Sequence, residues 1–269
     1  MRRRTLLGTA TAAAALGATP AAAQDDAVDV LLVLAVDVSR SIDEDEARLQ
    51  REGYRNAIAH PRVVEAVRGG MVGAIGLAYV EWAGIEYQRV VIPWTRIASQ
   101  ADAEDWAAAL GRAPRASLSW TSVSGGIEFS RRVLGEAPWQ AARRVIDVSG
   151  DGVNNSGPPA EGARDRAVAE GITINGLPIL NDRPPFGLLP AVPLDEYYRE
   201  SVVGGPGAFV IAVEEFESFG VAVRRKLIRE ISDLPQAPRM AAQAAAPEPT
   251  QAGEDATSRP EADLATGGE

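Results

Sequence analysis

Residues 29–41 read DVLLVLAVDVSRS. Val30 to Val36 form an almost unbroken run of valine, leucine and alanine. A run without polar alternation predicts a strand covered on both faces, as in a parallel α/β sheet. It stops at Asp37, and Ser39 and Ser41 follow at alternate positions. Three oxygen side chains at the end of a buried strand suit a nucleophile, a cap or a ligand shell.

The rest of the chain alternates strands with helices. After Ser41 an acidic cluster, Asp43 to Glu46, opens a helical pattern that runs to Ala59 and is interrupted by His60-Pro61. Ser41 and Glu44 have capping-box spacing, which makes Ser41 a candidate N-cap. A short helical piece follows over 63–68. Strands are predicted over 71–82 and 87–93, and the short turn at Gly84 makes them an antiparallel pair at a sheet edge. Helices are predicted over 101–110 and 123–134, a strand over 143–149, a helix over 158–170 and a strand over 171–179. Residues 181–207 form a long proline- and glycine-rich excursion with a short helix over 194–202. A sixth strand over 209–213 and a closing helix over 216–231 complete the pattern. The expected fold is a doubly wound, mostly parallel α/β sheet of six strands, with one antiparallel edge strand and helices on both faces.

The termini read differently. Arg2, Arg3 and Arg4 precede an Ala-rich apolar stretch over 5–18, and Ala21 to Ala23 supply a small-residue cleavage site before Gln24. This predicts a signal peptide over 1–23, with export to the periplasm or the medium and no transmembrane segment after cleavage. The run Arg3-Arg4-Thr5-Leu6-Leu7 also resembles a twin-arginine signal. Residues 235–269 are rich in Ala, Pro and Glu and nearly lack large apolar side chains, so a disordered tail is expected. A single domain is left over 28–232.

Composition removes several functions. The 269 residues contain no cysteine and one histidine, His60, which excludes disulfides, thiolate chemistry and multi-histidine zinc sites. The formal charge of −10 argues against nucleic acid as a partner. It suits a cation site or a basic partner.

In the expected strand order 3-2-1-4-5-6, strands one and four are neighbours at the switch point, where such sheets bind ligands. Asp37, Ser39 and Ser41 follow strand one, Asp151 follows strand four, and Thr121 precedes a helix that starts at the same rim. The D-x-S-x-S at Asp37, the T-x-x-x-x-G-I at Thr121 and the Asp-Gly at Asp151 resemble a von Willebrand factor A domain. The wider wording, VSGDGVNN and GGPGAFV, resembles a bacterial family of exported A-domain-like proteins without a settled activity. The resemblance covers roughly 28–231. It implies a metal-ion-dependent adhesion site in which Ser39, Ser41 and Thr121 ligate Mg²⁺, while Asp37 and Asp151 act directly or through water. Mn²⁺ or Ca²⁺ could replace it. One coordination position would stay open for an Asp or Glu of a protein partner. The 181–207 insertion departs from many A domains.

Each residue also has a plainer role open to it. Asp37 could cap the strand end, and Ser41 and Thr121 could be N-caps. Asp147, inside a strand, is assigned a structural role beneath the site. Asn154 and Asn155 are assigned to the loop, and the tryptophans to packing. The competing function is a Mg²⁺-dependent, phosphoesterase-like hydrolase using Asp37. Such enzymes generally carry a second aspartate two residues on as general acid, and here that position is Ser39. A serine hydrolase would need His60 as base and lacks a G-x-S-x-G elbow. No catalytic residue is therefore assigned.

Overall fold

The computed structural model describes residues 26–180, 192–214 and 218–232. The expected signal peptide and acidic tail lie outside the described residues, as does part of the 181–207 insertion. In chain order the elements are β1 (Ala27–Asp37), α1 (Glu44–Ile58), α2 (Pro61–Arg68), β2 (Ile75–Trp82), β3 (Gln88–Ile97), α3 (Gln100–Arg112), α4 (Val123–Gly135), β4 (Gln140–Gly150), α5 (Ala160–Ala169), β5 (Thr173–Pro178), α6 (Leu194–Tyr197) and α7 (Phe219–Ser232). A π-helical turn, Tyr198–Val202, continues α6.

The five strands lie in the order β3-β2-β1-β4-β5. β1 is central and parallel to β2 and β4, β4 is parallel to β5, and β2 pairs antiparallel with β3. The apolar run of β1 explains its place, since every residue from Val30 to Val36 is buried. Successive strand side chains point to opposite faces. Val30, Leu32, Leu34 and Val36 enter one core cluster with Tyr54, Trp106, Phe219 and Leu227. Leu31, Val33 and Ala35 enter a second one with Trp82, Ile127, Ala163 and Tyr198.

Two boundaries differ from the sequence reading for visible reasons. β2 starts at Ile75, not at Met71, because the Asp29 carboxylate accepts hydrogen bonds from the amides of Val72, Gly73 and Ala74. Gly73, at φ 74°, turns the chain there. The expected sixth strand is a correction. Residues 209–213 approach β5 and donate Ile211 N to Gly176 O at 3.0 Å and Val213 N to Pro178 O at 2.9 Å. A parallel ladder would next need an amide proton from Pro178, which has none. The pairing is therefore reduced to two isolated bridges, Gly176–Val210 and Ile179–Val213.

Candidate metal site at the sheet rim

Three loops converge where β1 and β4 end. Val38 N donates to Trp82 O at 2.9 Å, and Leu118 N donates to Val38 O at 3.2 Å. Ser39 thereby pairs with Leu118 in an isolated bridge, and the segment leading to Thr121 lies along the β1 loop. Between these loops Ser39 Oγ is 3.0 Å from Ser41 Oγ, and Ser41 Oγ donates to Asp151 Oδ1 at 2.7 Å. Ser39 N donates to Asp37 Oδ1 at 2.7 Å. Thr121 joins through Gly152, whose Cβ, if it had one, would lie 3.5 Å from Thr121 Oγ1. Asp37, Ser39, Thr121 and Asp151 are all buried, and Ser41 is half-buried.

The plainer roles of Ser41 and Thr121 fall to neighbouring residues. Asp43 is the N-cap of α1, and it forms a reciprocal capping box with Glu46 in which both hydrogen bonds are 2.9 Å. Ser122 is the N-cap of α4, accepting Gly125 N at 3.2 Å. Neither the Ser41 nor the Thr121 hydroxyl satisfies a helix terminus. Asp37 keeps part of its plainer role, since its Oδ1 orders the turn at Ser39. Its other oxygen, Oδ2, is buried and makes no hydrogen bond of normal geometry.

A buried carboxylate oxygen without a partner is costly. Burial pushes the Asp37 carboxyl well above the usual carboxylate range, and the Asp151 charge pushes it further. Hydrogen bonds from Ser39 and the Asp151 backbone act in the opposite direction. Gly150 gives Oδ2 its space, since a Cβ there would lie 2.9 Å from it and 3.1 Å from Tyr198 Oη. Two carboxylates and three hydroxyls are the oxygen donors a hard divalent cation takes. Among the described residues there is no cluster of three or more His, Cys, Asp or Glu suited to a metal, so a cation held at this rim would draw most of its ligands from hydroxyls.

Four positioning residues were not recognised as such in the sequence. Asn155 Oδ1 accepts Thr121 N at 2.8 Å, and Asn155 N donates to Thr121 O at 2.9 Å. Asn154 Oδ1 accepts Ser124 N at 3.1 Å, and Asn154 N donates to Tyr197 Oη at 3.3 Å. The two asparagines thus tie the Asp151 loop to the Thr121 loop. Gln50 Nε2 donates to Asp37 O at 3.4 Å. Tyr198, from the 181–207 insertion, is fully buried beside Gly150. The paired asparagines three and four residues after Asp151 were the available signal. Gln50 had none.

The remaining candidates fall elsewhere. His60 accepts Arg62 N through Nδ1 as the N-cap of α2, at the other end of α1 from Ser41. Asp147 pairs with Lys226, as its assigned structural role requires. Trp82 and Trp106 are buried as expected of packing residues. Trp120 is 59% exposed.

Residues 27–235 match the family model described as "Protein of unknown function (DUF1194)". This chain belongs to the DUF1194 family. Solved structures similar to the DUF1194 chain include a von Willebrand factor type A protein from Catenulispora acidiphila, 17% identical, with a TM-score of 0.52 over 76% of this chain and 43% of that one. Another is proximal thread matrix protein 1 from the mussel byssus with a zinc-occupied MIDAS motif, 15% identical, TM-score 0.55, over 77% and 48%. A third is the pilus adhesin SpaC from Lactobacillus rhamnosus GG, 14% identical, TM-score 0.54, over 77% and 31%. The DUF1194 chain therefore spans less than half the length of each. At these identities the likeness establishes the fold, which is von Willebrand factor A-like. Among curated proteins there is no match. No helix among the described residues is long and apolar enough to cross a membrane.

Proposed function

We propose that this DUF1194 chain is an exported protein-binding module that holds a divalent cation on Asp37, Ser39, Ser41, Thr121 and Asp151. Mg²⁺ is the favoured ion, and Mn²⁺ or Ca²⁺ could serve. The observation that carries the reading is the division of labour at the two helix starts. Asp43 and Ser122 do the capping, and the Ser41 and Thr121 hydroxyls remain for the rim beside Asp37 and Asp151. The zinc-occupied MIDAS motif of the mussel byssus protein supports a divalent cation at this rim.

The bound ion would supply positive charge that two carboxylates and three neutral hydroxyls only partly balance, at a position open to an acidic side chain. Asp37 and Asp151 would hold the charge, and the three hydroxyls would fill the shell. Asn154 and Asn155 keep the Thr121 and Asp151 loops in register, so the donors need little rearrangement. The partner is a protein that presents Asp or Glu. This role requires no bond to be made or broken, and the position two residues after Asp37, where a phosphoesterase would carry its general acid, is Ser39. Mature domain 28–232, freed of its signal peptide, would carry the site in the periplasm or outside the cell.

The test is capture from an extract of the producing cell's periplasm and medium. Immobilised protein in Mg²⁺ is expected to retain a partner that EDTA releases and that Asp151→Ala, shown to be folded by circular dichroism, does not retain. Capture that is indifferent to EDTA would contradict the reading.

A further inference from the structure

We propose that Arg115, with Arg89 beside it, receives a second acidic side chain of the partner, next to the one that meets the cation. The proposal rests on the cation-site reading above and narrows the partner to a segment that carries two Asp or Glu residues a few positions apart.

Arg115 lies on the segment between α3 and α4 that also carries Thr121. Its Nη2 donates to Ile42 O at 3.4 Å, and Ile42 directly follows Ser41. Farther along, Leu118 N donates to Val38 O at 3.2 Å, which pairs the segment with Ser39. The loops that bring Ser39, Ser41 and Thr121 to the rim therefore bring Arg115 as well. By standard backbone dimensions its Nη2 lies within about 10 Å of the Ser41 Cα.

Three guanidinium groups share one buried carboxylate here. Glu81, near the end of β2, has a side chain 1% exposed, with Arg51 Nη2 2.5 Å from its Oε1 and Arg89 Nη2 3.7 Å from its Oε2. Burial pushes the Glu81 carboxyl up, and the charges of Arg51, Arg89 and Arg115 all oppose the shift. Arg51 is committed, since its Nη1 also donates to Ala113 O. Arg89 and Arg115 are not. A guanidinium has about five N–H donors. Among the described residues Arg89 spends its Nη2 on Pro114 O at 3.1 Å, and Arg115 spends its Nη2 on Ile42 O. Arg89 Nε is buried without an acceptor. Glu44, exposed in the first turn of α1, also acts on Arg115 but forms no ion pair with it. Positive charge is thus in excess at this end of the sheet.

That excess sits where an acidic partner needs it. The chain carries a formal charge of −10, and Asp37 and Asp151 add negative charge at the rim itself. Local cations offset this repulsion. A guanidinium held by a backbone carbonyl can still turn its fork to a carboxylate and bind it through two parallel hydrogen bonds. An extended segment rises about 3.3 Å per residue, so the second acid belongs two to four positions from the first.

The experiment uses displayed nonapeptides with glutamate fixed at the centre, selected in Mg²⁺ and eluted with EDTA. Wild type is expected to enrich Asp or Glu two to four positions from the fixed glutamate. Arg115→Gln is expected to keep its Tm response to Mg²⁺ and to bind the selected peptides roughly tenfold more weakly. Changing the second acid to its amide should weaken binding to wild type by a similar factor and leave binding to Arg115→Gln unchanged. Arg62→Gln, which removes the same charge from an exposed position at the far end of α1, should bind as wild type does. EDTA-sensitive peptides without a second acid, or bound equally by Arg115→Gln, would overturn the role of Arg115 and leave the cation module standing. So would an equal loss in Arg62→Gln, which would reduce the effect to overall charge. Loss of the Mg²⁺ response in Arg115→Gln would make the residue a support of the loop and overturn the proposal. Failure to select any EDTA-sensitive peptide would overturn both readings.

Discussion

Lys226→Met is expected to cost the fold about 3–5 kcal/mol, the usual price of breaking a buried ion pair from one side. Lys226 lies in α7 with its side chain fully buried. Its Nζ is 2.6 Å from Asp147 Oδ1 on β4 and 2.5 Å from Glu230 Oε1 one helical turn on. Asn175 Nδ2 on β5 donates to the same Glu230 oxygen at 2.8 Å. Methionine fills much of the same volume, so the loss reports charge and not a cavity. Two buried carboxylates would be left without a cation. Urea unfolding at neutral pH measures it, and a loss under about 1 kcal/mol would show that the cluster is balanced some other way.

The same cluster fixes the sign of a pH dependence. Burial pushes the Asp147 carboxyl up to about 7, with the Lys226 ammonium opposing the shift and Glu230 adding to it. The folded state therefore keeps a proton that the unfolded chain releases near the ordinary aspartate value of about 4. This contribution is fully present below about pH 4. It is lost as the pH rises through about 7. Asp147→Asn should remove that slope from a plot of unfolding free energy against pH. Parallel curves for the two proteins would contradict it.

Trp82→Ala is expected to cost about 3–5 kcal/mol, and Trp82→Phe much less. Trp82 ends β2 with no exposed surface, in register with Asp37 on β1. Its ring lies against α4, where a Cβ on Gly126 would come within 2.9 Å. Its indole Nε1 is buried without a hydrogen-bond partner, so phenylalanine gives up apolar volume but no polar contact. Because Thr121 and Ser122 lead into α4, the alanine cavity should also loosen the rim. Guanidinium unfolding of the two variants separates these outcomes, and equal losses would show that the contact with Gly126 is not what holds α4.

Much of the fold was legible because burial on both faces leaves a plain mark. The Val30–Val36 run could only be an inner strand, and the short Gly84 turn could only join antiparallel neighbours. The break at Pro178 was present in the sequence but carried meaning only once a parallel ladder was known to need its amide. Cap assignment was ambiguous in principle. Ser41–Glu44 and Asp43–Glu46 have the same spacing, and only the backbone at Asp43, with φ −72° and ψ 178°, chooses between them. That choice matters, since it leaves the Ser41 hydroxyl for Asp151.

That the five candidate side chains meet at one rim was readable, because strand ends and spacing placed them there. Their supports were not. Asn154 and Asn155 act across the gap between two loops, and no local pattern records that approach. Gln50 reaches Asp37 from a helix whose polar residues all look alike in sequence. The positive φ of Trp120, 71°, has no mark in the sequence, since a bulky side chain gives no hint of a left-handed backbone.

The central claim is that the rim holds a divalent cation, and titration calorimetry with Mg²⁺ and with Mn²⁺ on EDTA-treated protein tests it most directly. Wild type is expected to bind one ion per chain saturably, and at a hundredfold excess over the dissociation constant to gain about 2.7 kcal/mol of stability. Asp37→Ala is expected to bind none while remaining folded. No binding by wild type, or equal binding by Asp37→Ala, would contradict the account.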